Sequence, residues 1–315
     1  MVFQTRKVLF GSDIAVVSDF RCRHPRDGVG YEEASEGNYI TFVRSGVFGR
    51  IRGKKREIAD PAHFLFFTKG HSYRFFHPVN VGDVCTIIAP SPEFLIETFG
   101  NTAEDRQLQG FSFHVPPVLA SPRIVLLHNE FLAAIRYRAP LISVEETLTE
   151  LLADTCQTAR GHTSARTFRQ DHRGRRQRDL TEETKVLLNR QIETRPSLSE
   201  IANTLNCSKF YLSRVFAAEC GISIRRYYIR LRLQAAAQRL SEGANDLTAL
   251  ALELGFYDHS HLSHLFIREF GVQPSVFRDR IFSKHRKNLQ ARYEPPGVVS
   301  LCGEQLLKKD TKWKR

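Results

Sequence analysis

Two short residue pairs near the front of the chain have the types that hold a soft metal. Cys22 and His24 form a Cys-x-His, and His77 and Cys85 lie eight apart around a turn. Together they offer the two thiolates and two imidazoles of a tetrahedral zinc site. The spacing is loose and the setting reads as strands. Buried thiols and hydrogen-bonded histidines are therefore the default, and the sequence assigns no metal and no cofactor. A thiol switch between Cys22 and Cys85 is a further option. Cys156, Cys207, Cys220 and Cys302 read as packing or surface thiols. A second histidine group, His259, His261 and His264, pairs at two- and three-residue spacing with no cysteine nearby, which is poor zinc chemistry. These rings read instead as hydrogen-bond donors that strengthen when protonated. No Ser/His/Asp set and no phosphate-cradling glycine loop is present, so no catalytic residue is assigned.

The elements that must carry these residues follow from composition and pattern. The chain has 315 residues and a formal net charge of +12. That length fits two medium domains. No apolar run approaches the ~18–20 residues of a membrane helix. The opening MVFQTRKVLF has no long apolar core, so a secretory leader is not expected. Six cysteines without a CxxC fit a reducing cytoplasm.

The charge is uneven. Residues 1–159 hold 17 basic and 18 acidic groups, and residues 179–282 hold 13 and 12. Residues 160–178 hold 7 and 1, and residues 283–315 hold 9 and 3. The excess therefore sits in two stretches poor in large apolar residues, which read as a basic linker and a basic tail. Such stretches suit a polyanion such as DNA, or are simply solvated.

The front half mixes alternation with β-branched and aromatic residues, as in YITFV, VFGRIR and FLFFTKG, broken at Gly46, Gly53 and Gly70. Short strands at this spacing predict a small antiparallel barrel or sandwich over residues 1–120. Phe42, Phe64, Phe66, Phe67, Phe75 and Phe76 either fill it or line a small-molecule pocket. From Ser121 the period becomes helical. Ser121-Pro122 starts one helix, and Ser143 with Glu146 forms a capping-box pattern for a second, to about Ala159. The apolar face of the second, Leu148, Leu151 and Leu152, suits a dimer contact or packing within the chain.

Residues 179–282 contain an internal repeat. LSEIANTL (198–205) aligns with LTALALEL (247–254), and YLSRVFAAECG (211–221) with HLSHLFIREFG (261–271). The second copy has one more residue in its turn. Each copy reads as helix, short turn, helix, with Leu198, Ile201, Ala202 and Leu205 on one stripe. The second helix turns Leu212, Val215 and Phe216 inward and Lys209, Phe210, Ser213 and Arg214 outward. That is helix-turn-helix chemistry, whose second helix enters the major groove. The connector 223–243 reads as one helix of about 30 Å, close to the ~34 Å between successive groove faces.

The residues Ala202, Leu205, Ser208, Tyr211-Leu212-Ser213-Arg214-Val215-Phe216 and Gly221 carry a resemblance, as do Ala251, Gly255-Phe256, His261-Leu262-Ser263, Phe266 and FGVQPSVFR (270–278). The segment of about a hundred residues resembles the DNA-binding domain of the AraC/XylS family of bacterial transcription regulators. The front half resembles, more loosely, the cupin-like β-barrel sensor domains of such regulators, although the His-x-His of metal-bearing cupins is absent.

The resemblance implies an α+β two-domain protein. It has a cupin-like barrel over 1–120, helices over 121–159, a linker over 160–178, a domain with two helix-turn-helix motifs over 179–282, and a tail over 283–315. It implies a sequence-specific DNA-binding regulator, an activator contacting RNA polymerase, a small-molecule effector in the barrel, a homodimer, and a cytoplasmic, nucleoid-associated protein. The alternatives are a regulator controlled by abundance or by a protein partner, and a cupin-type enzyme. Base contacts fall on Ser208, Lys209, Phe210, Ser213 and Arg214 in the first copy. In the second they fall on His259, Ser260, His261, Ser263 and His264, with His264 standing where many relatives carry arginine. Phosphate contacts fall on Arg226 and Arg230, with Arg225 and Arg232 as further candidates. The histidines imply affinity that rises as pH falls from about 7.5 to 6.

Overall fold

The computed structural model describes residues 3–23, 29–53, 55–78, 82–99, 116–166 and 174–289. The strands are β1 (Phe3–Gly11), β2 (Ala15–Arg23), β3 (Val29–Ala34), β4 (Tyr39–Gly46), β5 (Phe48–Arg52), β6 (Lys55–Ala59), β7 (His63–Phe67), β8 (Ser72–Phe76), β9 (Asp83–Pro90) and β10 (Val118–Leu119). They form two antiparallel sheets, β1-β2-β9-β4-β7-β10 and β3-β8-β5-β6. The expected β-rich front half is present. Among the described residues its ladders form these two sheets and do not close into one cylinder.

The helices are α1 (Pro92–Phe99), α2 (Pro122–Arg136), α3 (Leu141–Arg166), α4 (Gly174–Arg190), α5 (Leu198–Thr204), α6 (Lys209–Cys220), α7 (Ile224–Ser241), α8 (Leu247–Glu253), α9 (His259–Phe270) and α10 (Pro274–Leu289). Ser121 caps α2 by accepting from the Ile124 amide, with Pro122 in the first turn, where a missing N–H costs nothing.

Helix α3 departs from its sequence reading. The Pro140 carbonyl accepts from the Ser143 and Val144 amides, so Ser143 lies inside the first turn and is not a cap. Proline sits comfortably just ahead of a helix, and that moved the start back to Leu141. The basic linker is also shorter than its composition suggests. Residues 160–166 continue α3 and 174–178 begin α4, because arginine and glutamine are good helix formers whatever their charge. Residues 167–173 lie outside the described residues. The basic tail begins as helix too, since α10 runs to Leu289.

One apolar core runs through both halves. Phe42, Phe64 and Ile88 of the larger sheet, Ile124 and Phe131 of α2, Leu148 and Leu151 of α3, and Leu233, Leu240 and Phe266 of the C-terminal helices belong to it. Leu148, Leu151 and Leu152 are fully buried inside the chain. The stripe offered as a dimer contact therefore packs internally. A second core joins Leu188 of α4 to Ile201, Leu212, Phe216, Tyr227 and Leu231. Phe42, Phe64, Phe66, Phe67 and Phe76 are buried and fill the β-domain, with Phe75 packed beside Phe67.

Candidate nucleic-acid interface

The first helix pair is built on caps. Ser197 accepts from the Glu200 amide at 3.1 Å while Glu200 accepts from the Ser197 amide at 2.7 Å, a reciprocal capping box. The turn then passes through Asn206 at φ 51°, a left-handed position that asparagine tolerates. Ser208 caps α6 through the Tyr211 amide at 3.2 Å. Its hydroxyl therefore orients the recognition helix, and any DNA contact it makes shares that role.

Leu212, Val215 and Phe216 face the core. Lys209, Phe210 and Arg214 are exposed, and Ser213 is half-buried beside them. Phe210 is 78% exposed, so it points outward and does not belong to the core. The Lys209 ammonium lies 5.4 Å from the Phe210 ring, and Arg214 lies 5.7 Å from the Tyr211 ring. Helix α6 ends at Gly221, which takes the left-handed conformation that closes a helix.

The second pair repeats this plan with acidic caps. Asp246 accepts from the Thr248 and Ala249 amides, and Asp258 from the His261 amide at 2.7 Å. His259, Ser260 and His264 are exposed, and His261 and Ser263 are half-buried. His261 differs from its neighbours. Its Nδ1 lies 3.3 Å from the Tyr257 amide and its ring packs 5.1 Å from that of Tyr257. Partial burial depresses its pKa, helped by the charges of Arg195, Arg232 and Arg225 and opposed by Asp258.

Sequence reasoning passed over Tyr257 and Arg195. Tyr257 is 67% exposed at the entrance to α9, with the Arg195 guanidinium 3.9 Å from its ring centroid. Arg195 also donates to the Gly255 and Phe256 carbonyls. The two copies are unequal here, and the extra turn residue was the available signal.

The connector α7 spans 18 residues, roughly 27 Å at 1.5 Å per residue. Its arginines divide. Arg225 and Arg226 are exposed near its start. Arg230 is not a free phosphate ligand. It pairs with Glu269 of α9 at 2.5 Å, with both side chains largely buried. Arg232 is interior, donating to the Ile192 and Gly255 carbonyls at 2.9 Å each and to the Tyr228 hydroxyl at 2.8 Å. A guanidinium's five donors suit such carbonyl-rich joints, and a count of arginines on a helix cannot distinguish this use from phosphate binding.

In the β-domain, Cys22, His77 and Asp83 are buried with their ligand atoms within 4.8 Å of one another, Cys85 is buried beside Asp83, and His24 lies outside the described residues. A narrow cleft lies between the larger sheet, α2 and α7. Its lining includes Arg44, His63, His128, Asn129, Gln234 and Gln238.

Residues 201–280 match a family described as a helix-turn-helix domain. The chain is 32% identical over 100 residues to the uncharacterized HTH-type transcriptional regulator YidL of Escherichia coli, covering 32% of this chain and 34% of that protein. It is 37% identical over 82 residues to the HTH-type transcriptional activator RhaS of Escherichia fergusonii, covering 26% and 30%. A solved transcriptional regulator with an AraC-type DNA-binding domain, from Chromobacterium violaceum, is 27% identical, covering 33% of this chain and 92% of that chain at a TM-score of 0.31. The matches to YidL and RhaS thus span about a third of those relatives' length. Repeat, caps and matched residues coincide, and residues 201–280 of this chain form a helix-turn-helix domain similar to those of transcriptional regulators such as YidL and RhaS.

Proposed function

We propose that the chain is a sequence-specific DNA-binding transcription regulator that presents α6 and α9 to successive major-groove segments. One observation carries this reading. Both recognition helices pack an apolar face on the core and leave the opposite face open, at Lys209, Ser213 and Arg214 with the exposed Phe210 ring, and at His259, Ser260, Ser263 and His264. The side chains outward from α6 specify bases, and the amides at the capped helix starts, with Arg225 and Arg226, position phosphates. Selection from random duplexes by the full chain, followed by footprinting, tests it. A two-part motif with half-sites about one helical turn apart is expected. Binding of all duplexes alike at physiological salt would overturn it.

The regulator acts as an activator through RNA polymerase and as a homodimer on this reading. RhaS, a transcriptional activator, supports the first point. The second must use surfaces other than the buried stripe of α3. Leu141 and Ile142, exposed at its start, are available. The cleft beside Arg44 holds about 30 Å³ and the Arg44 guanidinium is already paired with Asp19, so an effector would have to widen the cleft on binding. A ligand-independent regulator is supported by a different observation, the filling of the β-domain by its own phenylalanines. Thermal shift of the full chain against pooled organic acids separates the two, since only an effector-responsive chain is stabilised.

A further inference from the structure

The last residues of β2, the first of β9 and the residue after β8 bring four ligating side chains together. Cys22, His77, Asp83 and Cys85 have relative exposures of 3%, 7%, 5% and 1%. Ligand atoms of Cys22, His77 and Asp83 all lie within 4.8 Å of one another. His77 Nε2 is 2.8 Å from Asp83 Oδ1, and the Cys85 thiol donates to Asp83 Oδ2 at 3.2 Å. We propose that these four residues form a binding site for a zinc-class divalent transition metal. Its ligands are the two thiolates, one imidazole nitrogen and one carboxylate oxygen.

The donor set is the first argument. Two sulfurs, a nitrogen and an oxygen suit zinc or cobalt and exclude magnesium and calcium, which take oxygen. A tetrahedral ion with bonds of ~2.0–2.3 Å separates its ligand atoms by about 3.3–3.8 Å. The Cys22, His77 and Asp83 ligand atoms, from 2.8 Å to within 4.8 Å of one another, bracket that range, while Cys85 Sγ stands 3.2 Å from Asp83 Oδ2 and would have to close on the other two.

The surroundings supply the second argument. Gln4 Nε2 donates toward Cys22 Sγ at 3.9 Å, the kind of outer contact that steadies a thiolate. Arg44 donates to the Cys85 carbonyl at 3.4 Å. Two thiolates and a carboxylate against a divalent ion leave one negative charge, and the nearest guanidinium, Arg44, is shared with Asp19.

Backbone geometry is the third. Cys22 stands opposite Asp83 in the β2–β9 ladder. Gly82, at φ 75°, lies so close that a Cβ there would sit 2.0 Å from the Cys22 carbonyl oxygen. His77 arrives from the smaller sheet. A metal here would tie the two sheets at one end. Metal binding would release the thiol protons to solvent.

The test uses the full chain, reduced, stripped with chelator and titrated with cobalt(II). Saturable d–d bands of tetrahedral cobalt and a sulfur-to-cobalt charge-transfer band at about one equivalent per chain are expected, both displaced by zinc. Cys85→Ser should weaken cobalt binding on the order of 100-fold or more and dim the charge-transfer band. Cys302→Ser should leave both unchanged. Zinc should also protect Cys22 and Cys85 from alkylation. A folded, reduced chain with no cobalt bands and no zinc protection would overturn the site and leave a buried hydrogen-bonded cluster. A Cys22–Cys85 disulfide in a chain that binds no metal when reduced would overturn it in favour of a redox pair.

Discussion

The Tyr227 hydroxyl of α7 donates to the carboxylate of Asp60, which lies in the loop between β6 and β7. Asp60 is completely buried. It also accepts from Asn189 of α4 at 2.7 Å and from the Ala62 amide at 3.0 Å, and His63 Nδ1 stands 2.7 Å away. Burial alone would raise the Asp60 pKa, but the His63 charge and the hydrogen bonds from His63 and Tyr227 bring it below the ordinary carboxylate value. Its ionised form is thus a fixed joint between the β-domain and the DNA-binding domain.

Tyr227→Phe removes one donor and leaves the buried carboxylate short of a partner. A loss of about 1–3 kcal/mol is expected, read as a lower urea midpoint at pH 7. Asp60 sets the acid side of the same joint. Because its folded pKa is depressed, its contribution is present above the unfolded carboxylate value and lost as pH falls through the folded one.

Arg214 is the side chain of α6 best suited to read a base pair. Arg214→Ala should cost about 1–3 kcal/mol at one position of the selected motif and relax preference there, with the rest of the motif intact. Binding to a full set of single-base variants measures it. A uniform loss at every position would assign Arg214 to phosphate.

Arg226 and Arg230 stand one turn apart on α7 and should behave oppositely. Arg226→Gln should reduce the slope of log affinity against log salt by about 1. Arg230→Gln breaks a largely buried pair with Glu269 and should cost about 3 kcal/mol of stability. Its salt slope should stay as in the parent chain. Salt titrations and urea melts of both variants distinguish the roles.

His128 stacks on Phe42 at 4.5 Å and lies 3.0 Å from the Thr86 hydroxyl. Burial, helped by the Arg44 charge, lowers its pKa from 6.5 to about 3. A depressed folded value means that stability is full above about 6.5 and falls as pH drops toward 3, by about 1.4 kcal/mol per pH unit at most. Urea midpoints between pH 7 and pH 4 should therefore fall more steeply in the parent chain than in His128→Gln. Equal slopes would remove His128 from the acid response.

His261 is set apart from the other histidines of α9. His261 titrates below its ordinary value and serves the turn before α9. His261→Asn should therefore leave the change in affinity between pH 7.5 and pH 6 as it is in the parent chain. Operator titrations at fixed salt between pH 7.5 and pH 6 test this.

The repeat was legible because it is written twice: inward Leu212 and Phe216 match inward Leu262 and Phe266 at a constant offset. The helix starts at Ser121 and Ser208 were legible because a cap needs only local chemistry. The roles of Arg230 and Arg232 were hidden. Arg230 depends on a partner 39 residues away and Arg232 on loop carbonyls, and charge on a helix does not name its partner. Asp83 was missed as a companion of Cys22 and His77 for a related reason. Spacing along the chain suggested His24, whereas the ladder places Asp83 opposite Cys22.

Helix α7 packs on both domains. Tyr227 and Leu231 serve the first helix pair, Leu233 and Leu240 the core shared with the β-domain and α2, and Ser241 meets Asn129 across the joint at 3.2 Å. The DNA-binding part is therefore not an interchangeable cassette. Grafting residues 174–289 onto a foreign sensor would uncover the α7 surface that α2 and the sheet now cover. A workable chimera would have to carry α2 along with it or recast that surface as polar.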